Sequence, residues 1–301
     1  MRGIVPGKQF VEITGALLAN DGVDGAEAMV DGIIRRGGGV IFIDEAYQLT
    51  SSRSGYQVLD LLLAEMENCI GKVVFIFAGY AQEMETFFAH NPGLPDRVPY
   101  TLKFADYSAT ELLDMMAQMI HQNYNGRMQV EDGLTGLYSR IVTQRLASGR
   151  GCRSFGNARA LQNMMAKITE RQAERISRER RAGRSPDDFF FTKEDIIGPD
   201  PSRAIHNSQA WVELQNLTGL KAIKETVHNI IDMISANYSR ELAGQKPMQV
   251  NLNRCLLGGS GTGKTTVGKL YGQILADIGI LSNGEGESAS LCFSPGTIEN
   301  S

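Results

Sequence analysis

The 301-residue chain has one tryptophan, four cysteines and no long hydrophobic run. Its longest apolar stretches, VIFI and VVFIFA, fall far short of the roughly 20 residues a membrane-crossing helix needs, so no membrane partner is expected. The N-terminal MRGIVPGKQF lacks an apolar core, so no secretory signal is expected either. Cys69, Cys152, Cys255 and Cys292 form no CxxC pair, which argues against a zinc site and against a disulfide framework. Reduced thiols in a cytoplasmic chain, or a nuclear one, are the expectation. There is no excess of basic charge: 30 Lys and Arg stand against 34 Asp and Glu, so a dedicated nucleic-acid binder is disfavoured. With 42% hydrophobic and 21% charged residues, the composition is that of a globular protein. The length suits two domains, or one nucleotide-binding module with a helical appendage.

Short apolar runs alternate with amphipathic stretches in the first hundred residues, the pattern of a parallel sheet covered by helices. The runs predict strands at Phe10–Thr14, Val40–Asp44, Val73–Ala78 and about Tyr100–Phe104. Helices are expected between them at about Gly25–Arg35, Gly55–Asn68 and Gln82–His90. From Tyr107 the character is helical alone. A capping box, Ser108 and Glu111, opens a helix with Leu112, Leu113, Met116 and Ile120 on one face. Two more helical stretches, near Gly136–Ala147 and Asn157–Ala182, complete an all-helical subdomain. The prolines and turn residues after Ala182 predict a linker. Beyond it the pattern restarts as α/β, with a helix over Leu220–Leu242, a strand around Val250–Leu257 and a helix from Lys264 to about Ile278. The expected division is 1–105, a sheet subdomain; 106–184, a helical lid; 185–211, a linker; 212–285, a second α/β beginning; and 286–301, a poorly ordered tail.

Between that strand and helix lies GGSGTGKTT: Gly258, Gly259, Ser260, Gly261, Thr262, Gly263, Lys264, Thr265 and Thr266. It matches GxxxxGK[ST], the phosphate-binding loop. Glycines let backbone N–H groups wrap the β-phosphate, and the helix N-terminus adds its positive dipole end. Lys264 reaches the β and γ oxygens, and the Thr265 hydroxyl ligates Mg²⁺. ATP and Mg²⁺ are the cofactors this implies.

A phosphate loop needs acids to hold the metal and to activate water. GGGVIFIDEAYQL supplies a pair: four consecutive apolar residues, Val40–Ile43, end in Asp44 and Glu45. A buried strand that delivers adjacent acids at its C-terminal end is how nucleotide hydrolases place one on magnesium and one against the attacking water.

GGVIFIDEAYQL is followed in order by VVFIFAGYAQEM, FFAHNPGLPDR and GNARALQNM, and together these resemble the second part of an AAA+ ATPase module of the CbbX (CfxQ) branch, the group that includes the red-type rubisco activases. LTGLKAIKETV and CLLGGSGTGKTTVGKLYG resemble the opening of another such module. The resemblance implies an α/β P-loop (AAA+) parallel sheet with a helical lid, circular permutation being one possibility. It makes Asp44 the Walker B metal ligand and Glu45 the base. Arg97 matches the arginine finger that projects into a neighbouring site, and Arg159, in GNAR, the sensor-2 arginine. Thr218 and Gly219 would line the adenine end. The sensor-1 position falls at Gly79-Tyr80, where the Tyr80 hydroxyl alone could serve. Asp21 stands near where the family has an aromatic pore-loop residue.

An AAA+ module runs phosphate loop first and lid last, whereas here the phosphate loop follows the lid. Three arrangements fit: a segment of a tandem-module protein, a circularly permuted module, or two chains exchanging these parts. The function expected is ATP hydrolysis with Mg²⁺ to remodel a protein client in a ring assembly of like copies or tandem modules. The alternative is a non-hydrolysing ATP-binding interaction or scaffold fragment. The arginines of ERQAERISRERRAGR, interleaved with Glu170, Glu174 and Glu179, read as a solvated helix face rather than a nucleic-acid site.

Overall fold

The run GVIFID forms the central strand of a parallel sheet because its β-branched and aromatic residues fit a pleated surface that is buried on the Ile41 and Ile43 face and half-buried on the other. The computed structural model describes residues 7–151 and 155–278. The tail expected to be poorly ordered, together with Cys152 and Cys292, lies outside the described residues. Two units divide the chain between Phe104 and Ala105.

In the first unit β1 (Gln9–Thr14) leads to α1 (Gly15–Arg35), β2 (Gly39–Asp44), α2 (Arg53–Asn68), β3 (Val73–Phe77), α3 (Ala81–His90) and α4 (Gly93–Arg97). The strands lie in the order β1-β2-β3, all parallel, with Val11 opposite Ile41 and Phe42 opposite Ile76. Ile41 and Ile43 are fully buried in one apolar cluster with Leu18, Val58, Leu59 and Leu62 of α1 and α2. The stretch expected as a loop before a helix at Gly25 is itself helical. Thr14 caps it, accepting from the Leu17 N–H at 3.3 Å, Leu18 and Ala19 are buried, and the chain kinks at Gly22, where φ is 69°. Asp21 is an exposed residue of that helix.

Tyr100–Phe104 forms no strand. Tyr100, Leu102 and Phe104 are 87%, 84% and 95% exposed. The alternation was a fair strand signal, but a strand needs a ladder partner for its N–H and C=O groups, and β3 pairs with β2 alone among the described residues.

The second unit runs α5 (Ala109–Asn123), β4 (Gln129–Val130), α6 (Leu137–Ala147), α7 (Asn157–Arg181), β5 (Phe190–Phe191), α8 (Lys193–Ile197), α9 (Pro201–Ala204), α10 (Gln209–Asn216), α11 (Lys221–Leu242) and α12 (Lys264–Asp277). The capping box at Ser108 and Glu111 is formed as expected. Leu112, Met116 and Ile120 of α5 bury against Ile141, Leu161 and Ile168, and Tyr238 of α11 joins the same cluster. A second cluster packs Leu214 of α10 and Ile230, Ile231 and Ile234 of α11 against Val267, Ile274 and Leu275 of α12.

Residues 185–211, expected as a linker, are built into this unit. β5 pairs with β4, Phe191 and Ile196 are fully buried, and Thr192 and Asp195 form a second capping box. Two arginines of the basic helix serve this segment rather than solvent. Arg175 pairs with the buried Asp195 at 2.9 Å, and Arg171 donates to the Asp195 and Ile196 carbonyls, each at 3.3 Å. Burial, first of all, lowers the pKa of Arg171, with Arg145 nearby adding to it.

The expected strand at Val250–Leu257 is irregular and mostly exposed. It is tied down locally: the Tyr271 hydroxyl donates to the Leu252 carbonyl at 2.8 Å, and Asn237 exchanges two bonds of 2.7 Å with the backbone of Met248. Apolar content alone does not make it a strand without a neighbour to pair with.

Candidate functional site

Asp44 ends β2, and the next residue turns sharply. Glu45 adopts a left-handed conformation, φ 49° and ψ 42°, which costs a non-glycine residue energy and persists where its surroundings hold it. They do hold it. The Glu45 N–H donates to Asp44 Oδ1 at 2.9 Å, the Glu45 carboxylate accepts from Gln48 Nε2 at 2.5 Å, and the Ala46 N–H donates to the Ala78 carbonyl at 2.9 Å. Gly15 backs the turn: a Cβ there would lie 2.6 Å from the Glu45 carbonyl oxygen.

Tyr47 and Tyr80 stand beside the acids, with ring centroids 6.2 Å apart. Burial and then the Glu45 carboxylate push the Tyr47 phenol above its ordinary value. Tyr80, the sensor-1 candidate, stands at the N-cap position of α3 without a side-chain cap bond and is 58% exposed. Gly79 packs closely beside them, since a Cβ there would lie 2.8 Å from Met84 Sδ and 2.9 Å from the Tyr47 ring. Tyr47, Gln48 and Gly15 were missed as site residues, although the spacing of Glu45 and Gln48 in DEAYQL was a signal for a local side-chain contact. Arg97, at the end of α4, is paired with Glu67 of α2 and donates from Nη1 to the Gly93 carbonyl at 3.1 Å.

The phosphate loop lies in the second unit, before α12. Gly261 and Gly263 take φ of 75° and 83°, conformations that side chains rarely adopt. Lys264 Nζ folds back onto the carbonyls of Gly258, at 2.8 Å, and Gly259. Thr262 Oγ1 donates to the Gly259 carbonyl at 2.9 Å. Gly263 gives α12 no side-chain cap, so the first-turn N–H groups of Lys264, Thr265 and Thr266 are left for an anion. Gly258, Gly259, Ser260 and Thr265 are exposed. This cradle of glycines, free first-turn amides and a lysine fits a nucleotide's phosphates.

Thr218 and Gly219 fall in the turn between α10 and α11, which Lys224 closes by donating to the Gln215 and Leu217 carbonyls, both at 2.7 Å. Arg159 is exposed in the first turn of α7. Asp44, Glu45 and Arg97 thus belong to the first unit, and the phosphate loop, Thr218, Gly219 and Arg159 to the second. Among the described residues no cluster of three or more His, Cys, Asp or Glu side chains could hold a metal. Asp44 and Thr265 are single donors of the hard oxygen type that Mg²⁺ takes beside substrate phosphates.

Residues 5–99 match the ATPase family associated with various cellular activities (AAA), and residues 108–207 match the AAA lid domain. Protein CbbX of Cereibacter sphaeroides is 36% identical over 144 residues, 46% of this chain and 44% of that protein. The chloroplastic ribulose bisphosphate carboxylase/oxygenase activase of Cyanidioschyzon merolae is 36% identical over 143 residues, 46% of each. Protein CfxQ homolog of Galdieria sulphuraria is 35% identical over 165 residues, 53% of this chain and 49% of that protein. The chain belongs to the AAA+ ATPases, in their CbbX/CfxQ branch.

Its parallel sheet and helical lid are accordingly those of an α/β P-loop AAA+ fold. This AAA+ chain spans about half the length of the curated relatives it matches. Among its described residues no helix is long and apolar enough to cross a membrane.

Proposed function

We propose that this AAA+ chain binds ATP with Mg²⁺ at Gly258–Thr266 and takes part in its hydrolysis to remodel a protein client within a ring assembly. The observation that carries the reading is the formed phosphate loop, whose Lys264 bonds to the loop's own Gly258 and Gly259 carbonyls. Lys264 releases those carbonyls to meet the β and γ oxygens. The first-turn amides of α12 take the β-phosphate, and Thr265 and Asp44 would hold the metal. When bound, Mg²⁺ neutralises charge on the phosphates. Glu45, held by its strained turn and by Gln48, takes the proton of the attacking water. Arg97 acts on a site other than its own and stabilises charge on the γ-phosphate, and Arg159 couples the lid to nucleotide. Thr218 and Gly219 border the adenine. The protein client is proposed from the activase among the relatives.

A second reading is favoured by one fact: the loop and the acids belong to different units of the chain. In that reading each site is incomplete, and ATP binding regulates assembly without hydrolysis. Steady-state ATP hydrolysis by the full chain, beside Lys264→Ala and Glu45→Gln, separates the two. Activity lost in both variants means that loop and acids share a site, within a chain or between copies. Activity at background, with ATP binding sensitive to Lys264→Ala and indifferent to Glu45→Gln, selects the second reading.

A further inference from the structure

The lid helix that carries Arg159 starts in an unusual way. Asn157, its first residue, has φ 47°, and Gly156 before it supplies no side-chain cap. Asparagine tolerates the left-handed region better than other side-chain-bearing residues, but a helix start of this kind needs an external hold. The Asn157 side chain supplies one. Its Oδ1 accepts from the Tyr107 N–H at 2.9 Å, and its Nδ2 donates to Asp106 Oδ1 at 2.8 Å. The other oxygen of Asp106 accepts from the Gly151 N–H at 2.9 Å. The amide can sit in this network one way round, because a flipped amide would set oxygen against carboxylate and NH₂ against N–H.

The cluster therefore joins three stretches: the chain entering the second unit at Asp106–Tyr107, the connection after α6 at Gly151, and the first turn of α7. Arg159 is two residues beyond Asn157. Asp106 is two residues beyond the boundary between the units. Its two acceptor bonds, from Asn157 first and Gly151 second, hold its carboxyl below the ordinary value. Both bonds are made to the ionised form and are correspondingly strong.

We infer that Asn157 is a positioning residue: with Asp106 it fixes the first turn of α7, and so Arg159, to the segment where the chain passes from one unit to the other. A displacement of Arg159 on meeting nucleotide is then passed to Asp106 and Tyr107 through two hydrogen bonds rather than lost in a frayed helix start. The proposal rests on the sensor-2 reading of Arg159 for its function, but the link itself can be tested apart from that reading.

The test uses the full chain and a polarity swap. Asn157→Ala removes the link, and Asn157→Asp sets two carboxylates against each other. In the double variant Asp106→Asn/Asn157→Asp the amide at position 106 donates to the carboxylate at 157, which still accepts from the Tyr107 N–H, while the amide oxygen at 106 accepts from Gly151. All three bonds are regenerated. Hydrogen exchange of the Tyr107 and Gly151 amides should quicken roughly tenfold or more in both single variants and return to the wild-type rate in the swap. The kcat for ATP should fall in the single variants with KM little changed, and recover in the swap. Unaltered exchange in the single variants, or a swap that exchanges as fast as Asn157→Ala, overturns the proposal. Arg159→Ala run in parallel reports on the sensor reading: unchanged turnover and affinity there would remove Arg159 from the site, while the exchange data still decide whether Asn157 makes the link.

Discussion

Arg145 of α6 grips Glu241 of α11 through two parallel bonds, Nε to Oε1 at 2.9 Å and Nη2 to Oε2 at 2.6 Å, while its Nη1 donates to the Ile197 carbonyl at 2.7 Å. One guanidinium thus ties the lid helix α6 to the end of α8 and to the long helix that precedes the phosphate loop. Glu241 lies in the last turn of α11, where the helix dipole disfavours an acid, so its placement is best accounted for by the arginine. Its side chain is 12% exposed. Arg145→Ala leaves that carboxylate and the Ile197 carbonyl without the partner, and is expected to cost about 1.5–3 kcal/mol. Chemical unfolding of the single variants, Glu241→Gln and the double variant would read this as a coupling energy. Strictly additive losses would mean that the pair holds nothing together.

Gly15 makes a prediction about catalysis rather than stability alone. A Cβ at this position would sit 2.6 Å from the Glu45 carbonyl oxygen, a backbone atom that cannot swing aside as a side chain can. Gly15→Ala must therefore shift the turn that orients Asp44 and Glu45. Turnover should fall by tenfold or more, since misplacement of a catalytic group by about 1 Å can cost about a hundredfold. Nucleotide affinity, set mainly by Gly258–Thr266, should change less than threefold. An affinity loss as large as the loss of turnover would show that the site is not divided in this way.

Arg97 and Glu67 pair at the surface, their side chains 30% and 61% exposed. Exposed pairs contribute about 0–1 kcal/mol, so Glu67→Gln should leave the melting temperature nearly unchanged. Arg97→Ala should behave differently in an activity assay. As an arginine finger it would lower turnover by at least tenfold while sparing ATP affinity. Turnover equal to wild type would take Arg97 out of that role.

The sequence was most legible where an element carries its own cause. A continuous apolar, β-branched run was enough for GVIFID, the Ser108–Glu111 box for α5, and glycine spacing for the phosphate loop. It was least legible where a partner decides. Tyr100–Phe104 and Val250–Leu257 have strand-like composition, yet a strand is a relation between two segments, and neither has a ladder neighbour among the described residues. Residues 185–211 misled in the opposite direction: their prolines and Gly198 spoke for a linker, while the burial of Phe191 and Ile196 depends on α5, α6 and α7, over long range. Arg171 and Arg175 looked solvated because the carbonyls and the carboxylate they serve lie about 20 residues further on. In the candidate site, Lys264 could be named from the spacing of its loop, and Asp44 and Glu45 from the apolar run they end together with the family resemblance. Gly15 and Asn157 could not, because their roles come from groups distant in sequence, the Glu45 carbonyl for Gly15 and the Asp106–Tyr107 segment for Asn157; Gln48 offered only its local spacing to Glu45.

Acid should loosen the start of the lid. The Glu111 carboxyl lies below its ordinary value of 4.5 because the Ser108 N–H and hydroxyl donate to it, and Asp106 lies below 3.8 because Asn157 and Gly151 do. Both groups are ionised when folded at pH values where the unfolded chain has begun to protonate. Their contribution is therefore complete above the unfolded values and is lost as pH falls from those values through the lower folded ones. Glu111→Gln keeps the acceptor and the capping-box geometry but does not titrate. It should flatten the fall in stability below about pH 4.5 while changing stability near neutrality little. Urea unfolding at a series of pH values, followed by hydrogen exchange at Ser108 and Glu111, would measure both effects. An acid-side slope identical to wild type would mean that the Ser108–Glu111 box is not among the groups that set it.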